Sequence, residues 1–180
     1  MNDTTNPAKT LPNNIILEKW ADTGFFWQGK LDTNELVRLC QNLDNQPQAP
    51  LMVSVTLEKQ SGLLKLAYQV TGELQGVCQR CLSPLTLDVS GDYGMFILDN
   101  TEQMSQMPDE DSEFVLLDEV CPMEGRKLLP IKDLLEDELL LSLPLSLHHD
   151  DCEMLVQNEE IDSEPKENPF AILAQLKSDK

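Results

Sequence analysis

Between Leu51 and Leu98 apolar residues recur at every second position, and that period restricts the chain to very few structures. Val53, Val55 and Leu57 alternate with Ser54, Thr56 and Glu58. Leu64, Leu66, Tyr68 and Val70 alternate with Lys65, Ala67 and Gln69, and Leu85, Leu87 and Val89 with Thr86 and Asp88. Successive side chains of an extended strand point to opposite faces, so each run predicts a strand with one buried and one wet face. Gln60-Ser61-Gly62 turns the chain between the first two. The second strand is expected to continue past Gly72 to Val77, and Tyr93 to Leu98 to extend the last beyond a kink at Gly91. The expectation is an antiparallel meander within an α+β fold.

Gly76-Val77-Cys78-Gln79-Arg80-Cys81-Leu82-Ser83-Pro84 interrupts the alternation. Two cysteines three apart in a tight turn put both sulfurs on one side and form half of a tetrahedral thiolate site. A thiol-redox motif would open a helix in a βαβ unit, whereas strands flank this one. Gly76 stands where a strand end needs a close backbone approach or a bulge. Soft ligands cluster once more, in Leu147-His148-His149-Asp150-Asp151-Cys152. Cys78, Cys81, His149 (or His148) and Cys152 are thus a candidate zinc set. The same residues also read as buried or idle thiols.

Around the meander the period changes. Met1 to Pro12 reads as disordered or loosely laid down, while Ile15 to Leu17 and Phe25 to Trp27 are short strand candidates. Leu36, Leu39, Cys40 and Leu43 share one helical face, opened by Asp32 with Glu35 three residues on. Asn100 to Glu113 reads as an acidic surface loop, followed by a strand at Phe114 to Leu117. Cys121 is assigned no role. Ile131 to Leu143 is a helix between Pro130 and Pro144, with Ile131, Leu134, Leu135 and Leu139 as its buried stripe. Lys132, Asp133, Glu136 and Asp137 are expected in water. Glu138 falls on the apolar side, where a carboxylate snorkels at the stripe's edge or pairs with a cation. The edge is the expectation, because an unpaired buried carboxylate is very costly.

The boundaries that follow are an α+β core at 1–152, an acidic linker at 153–167 and a short amphipathic helix at 168–180. The linker holds six Asp or Glu against Lys166 and is expected to be disordered. Phe170, Leu173 and Leu176 then form an apolar stripe, either docking on a partner or folding back on the chain's own domain.

Charge narrows the function classes. The formal net charge is −19, and residues 99–180 carry 22 acidic against 6 basic residues. Nucleic-acid affinity comes mainly from Lys and Arg neutralising phosphates, so tight binding to naked RNA is disfavoured and a basic protein partner fits better. Direct RNA binding, the alternative, would use the less acidic N-terminal half, with Lys19, Lys30, Arg38, Lys59, Lys65, Arg80, Trp20 and Trp27. A metal-dependent nuclease would need paired carboxylates such as Glu136 and Glu138 or Asp150 and Asp151, which an acidic chain supplies by composition. Gly-rich phosphate loops and hydrolase motifs are absent from the sequence. No apolar run of about 18 residues is present to span a membrane, and the polar first 14 residues lack a signal-peptide pattern. Five cysteines, an odd number, point to a reducing cytoplasm.

In order, Cys78-Gln79-Arg80-Cys81, Leu135-Glu136-Asp137-Glu138-Leu139 running into Leu143-Pro144, the His and Cys segment, and terminal Asn168-Pro169-Phe170-Ala171-Ile172-Leu173-Ala174-Gln175-Leu176-Lys177 resemble the bacterial large ribosomal RNA subunit accumulation protein family. The resemblance implies a cytosolic ribosome-biogenesis factor needed for synthesis, processing or stability of 23S ribosomal RNA. It brings no catalytic residue. In some relatives the later metal-like segment is richer in cysteine than the His148, His149 and Cys152 found here. The resulting expectation is a non-catalytic factor that binds a basic ribosomal protein or an rRNA-processing factor, with contact to pre-ribosomal RNA indirect and with no membrane.

Overall fold

The computed structural model describes residues 10–109, 111–121 and 127–154. Its strands arise where the alternation lies. In chain order the elements open with strand β1 (Ile15–Ile16), helix α1 (Leu17–Trp20) and β2 (Phe25–Leu31). A 3-10 turn at Thr33–Glu35 leads into α2 (Val37–Asn42). The meander follows as β3 (Leu51–Gln60), β4 (Leu63–Thr71), β5 (Glu73–Val77), β6 (Pro84–Asp88) and β7 (Gly91–Leu98). A second 3-10 segment, Thr101–Gln106, precedes β8 (Phe114–Leu116), α3 (Leu117–Val120), β9 (Leu128–Leu129) and α4 (Ile131–Ser142).

Five strands form one sheet in the order β2-β3-β4-β7-β8, antiparallel except for the parallel pair β7–β8. The register sets Val53 opposite Val70, Val55 opposite Tyr68 and Leu57 opposite Leu66, so the alternating residues share one face. On that face lie Leu39 and Leu43 at α2 and Ile131, Leu135 and Leu139 from α4 in one core. Tyr68 is buried there and donates its hydroxyl to the Ile131 carbonyl at 2.6 Å, which fixes the start of α4 against the sheet. On the other face, Leu63, Phe96 and Leu98 form a smaller cluster with Met107 and Leu116. That is why the end of β7 is apolar without alternation: both of its faces are covered.

The long second strand foreseen in the sequence divides at Gly72, whose φ of +150° favours glycine and whose missing side chain leaves room for Leu51. Beyond it, β5 and β6 pair as a hairpin outside the main sheet, carrying the Cys-x-x-Cys turn at its tip. The helix expected from Asp32 also begins later. Asp32 caps the 3-10 turn by accepting the Asn34 N–H, and Leu36 breaks the geometry before α2. Cys40 is half-buried, and its thiol reaches the Thr33 carbonyl. Leu11, in a stretch read as loosely laid down, is buried. The Asn100–Glu113 loop contains the Thr101–Gln106 turn, capped by Asn100.

On α4 three expectations are corrected. Lys132 and Glu136 are buried rather than solvated. Lys132 is paired with Glu35, while Glu136 takes Arg38 Nε at 2.8 Å on one oxygen and the Leu39 N–H at 3.0 Å on the other. Glu138 does not snorkel into solvent; it is 7% exposed and lies beside another acid, Glu113, whose charge adds to burial in pushing its carboxyl up. The linker from 155 onward and the terminal helix, with Phe170, Leu173 and Leu176, lie outside the described residues.

Candidate metal centre

The β5–β6 hairpin holds Cys78 and Cys81 by its own backbone. The Cys78 N–H donates to the Ser83 carbonyl at 2.9 Å and the Leu82 N–H to the Cys78 carbonyl at 2.8 Å, with Leu82 in the left-handed region at φ +59°. The Cys81 N–H points at Cys78 Sγ, 3.5 Å away. After α4 the chain returns across this tip. Gln79 N–H donates to the Leu147 carbonyl at 2.7 Å, and Arg80 Nη1 to the Cys152 carbonyl at 3.0 Å. Gly76 permits the crossing, since a Cβ there would stand 3.3 Å from Leu147 and 3.4 Å from Leu43.

That crossing brings Cys78, Cys81, His149 and Cys152 together, with ligand atoms all within 4.8 Å of one another. Cys78 Sγ lies 3.6 Å from Cys152 Sγ, and Cys81 Sγ lies 3.4 Å from His149 Nδ1. Tetrahedral zinc, with bonds of about 2.3 Å to sulfur and about 2.0–2.1 Å to nitrogen, sets its ligand atoms roughly 3.5–3.8 Å apart. The donor set therefore fits a tetrahedral metal ion. His149 Nε2 stands 3.1 Å from the Pro84 carbonyl. A carbonyl only accepts, so Nε2 carries the proton and Nδ1 of the neutral ring offers its lone pair toward the sulfurs. His148 turns instead toward the His149 carbonyl, which decides between the two histidines.

Electrostatics point the same way. Burial raises the Cys78 thiol, but donors from Cys81, His149 and Arg80 outweigh it and bring it down to about 5. Cys81 is lowered by the backbone and hydroxyl of Ser83. Cys152 is raised, first by burial and then by its neighbours Cys78 and Cys81, and His149 is raised by its hydrogen bonds to the same two sulfurs. Lowered thiols at Cys78 and Cys81 beside an imidazole nitrogen are the donor chemistry from which a divalent cation displaces protons. Four protein ligands leave no open coordination position, which is the arrangement of a structural site rather than a catalytic one.

Other residues singled out in the sequence do not converge. Trp27 is buried, Arg38 is bound to Glu136 and Asp137, Lys59 is paired with Asp22, and Lys19 and Lys65 lie over the separate rings of Trp20 and Phe96. Asp150 and Asp151 are exposed, and among the described residues no group of three or more carboxylates converges. The supporting roles of Pro84 and Leu147 were hidden because they act through backbone carbonyls. Arg80, read as a phosphate-binding candidate, holds the Cys152 carbonyl instead.

A family model for the large ribosomal RNA subunit accumulation protein YceD matches residues 66–177. The match runs from the second half of the meander through the four candidate ligands to the terminal segment. No solved structure matches the chain.

Proposed function

The chain belongs to the large ribosomal RNA subunit accumulation protein YceD family, and from that premise we propose that it is a non-catalytic cytoplasmic factor that supports 23S rRNA by binding a basic protein. That partner is a ribosomal protein or a processing factor, and the RNA is reached through it. The observation that carries this mechanism is charge: 22 acidic against 6 basic residues over 99–180. Such a surface repels phosphate and steers cationic proteins. Loss of Trp27 to the core and of Arg38 and Lys59 to ion pairs further weighs against an RNA interface in the N-terminal half.

Within this reading the Cys78, Cys81, His149 and Cys152 set holds zinc as a structural ion. It ties the segment leading into the acidic tail to the β5–β6 hairpin, so that the tail starts from a fixed place. The function is tested by capture from lysate with and without nuclease. A basic protein retained after nuclease treatment is the expected result, whereas a complex that dissolves on RNA digestion overturns the mechanism.

A further inference from the structure

Between α4 and the edge strand β8 lies a groove of about 350 Å³, lined on its apolar side by Phe114, Leu134 and Leu141 and rimmed by Glu113, Asp137 and Glu138. Leu141 is 79% exposed and Phe114 is exposed as well. Single exposed leucines are ordinary on protein surfaces. Here the exposed apolar groups border a concave apolar floor, and a buried carboxyl group opens into the same space. Glu138 meets Glu113, and among the described residues neither is paired with a cation. Burial first, then the charge and hydrogen bond of Glu113, push Glu138 up to about 7. The rim therefore sets two acids side by side, with space in the groove beside them for a basic group.

We propose that this groove receives a basic amphipathic helix from the partner protein, with its apolar stripe on Phe114, Leu134 and Leu141 and a Lys or Arg between Glu113 and Glu138. The inference rests on the reading of a basic protein partner and gives that partner its docking site. Helix-in-groove recognition uses anchors at i, i+3 or i+4 and i+7, the same spacing that Leu134 and Leu141 present with Glu138 between them. Strand addition is the weaker match, because β8 is three residues long and offers few backbone groups. Charge also selects among occupants. A second copy brings another −19, and the chain's own segment 168–177 arrives behind the acidic stretch 159–167.

The test uses the full-length protein and a labelled synthetic helical peptide, leucines at i, i+3, i+4 and i+7 with lysines beside them, followed by fluorescence anisotropy. A second peptide carries glutamate in place of every lysine. The lysine peptide binds and the glutamate peptide does not. Leu141→Arg, at an exposed position that leaves the melt unchanged, weakens binding by about tenfold or more, and Glu138→Gln weakens it several-fold. Neutralising Glu159, Glu160 and Asp162 leaves an anisotropy titration at near-physiological salt nearly unchanged. If tail neutralisation weakens binding and the two groove variants do not, diffuse charge holds the peptide and the proposal fails. Tighter peptide binding after Phe170→Ala with Leu173→Ala would mean that the chain's own tail fills the groove. A dimer in sedimentation that Leu141→Arg dissolves would mean that a second copy does. Both outcomes overturn the proposal. In nuclease-treated lysate, a basic protein captured equally by wild type and Leu141→Arg removes the groove and keeps the partner reading. Peptide binding at the groove without any nuclease-resistant partner does the reverse.

Discussion

Arg38 donates from Nε to one oxygen of Glu136 at 2.8 Å, while the other oxygen of that carboxylate accepts the backbone N–H of Leu39 at 3.0 Å. One buried side chain thus satisfies an unpaired donor in the first turn of α2 and ties that helix to α4. Glu136→Ala strands the Leu39 N–H and removes one of the guanidinium's partners, leaving it Asp137 and the Asp133 carbonyl. We expect a loss of about 2 kcal/mol in urea unfolding, discounted from a fully buried pair because Arg38 is half exposed. Arg38→Ala in the same background should add only the small contribution of its exposed bonds to Asp137 and the Asp133 carbonyl.

Metal is the simplest measurement. Purified protein should contain about one zinc per chain, and Cys78→Ser should lose both the metal and thermal stability. Metal-free protein whose melting is unaltered by that substitution removes the structural-zinc reading.

Stability should respond to the carboxyl pair in the groove. Glu138 titrates at about 7 in the folded chain against an ordinary 4.5, so the native state binds more protons between those values. Stability therefore falls as pH rises from about 4.5 through about 7, and the loss is complete above that range. Glu138→Gln should flatten this slope and raise the melting temperature at pH 8 relative to wild type. An identical pH profile in the two proteins would show that Glu138 ionises without cost.

For the terminal segment, Phe170→Ala with Leu173→Ala removes the apolar stripe and leaves Asn168 and Pro169 in place. Partner capture should fail while the melting temperature barely moves. A large loss of stability with capture retained would assign the segment to the chain's own core.

Neutralising Asp150, Asp151, Glu159, Glu160 and Asp162 separates the protein partner from direct RNA binding. With a basic protein, association slows and its salt dependence flattens, because steering acts mainly on the on-rate. With RNA, the same change removes repulsion and tightens binding. Paired titrations at low and near-physiological salt read the sign.

Much of this architecture was legible because its signals are local. Val53, Val55 and Leu57 declare a strand by themselves, and Cys78 and Cys81 mark a candidate ligand pair by their spacing. His149 and Cys152 were within reach because the chain holds few other soft ligands. What stayed hidden depends on residues distant in sequence. Lys132 and Glu136 read as solvent-facing because their partners, Glu35 and Arg38, lie 97 and 98 residues away. The break at Gly72 was equally silent, since β5 keeps much of the alternation of β4 while leaving its sheet. The parallel pairing of β8 with β7 follows from where an acidic loop happens to return, which no short-range pattern records.

The metal-ligand set is split between positions 78 and 81 and positions 149 and 152. A growing chain carries only the first pair until nearly all of the described structure has been synthesised. Domains fold as their residues emerge, N-terminal parts first, so the four ligands meet only after the meander has formed and α4 has packed upon it. Metal capture at this site would accordingly be a late event in the life of the polypeptide, and an occupied centre would certify a finished fold. A chain halted or clipped before residue 149 would keep two cysteines at the hairpin tip and have nothing to close them with.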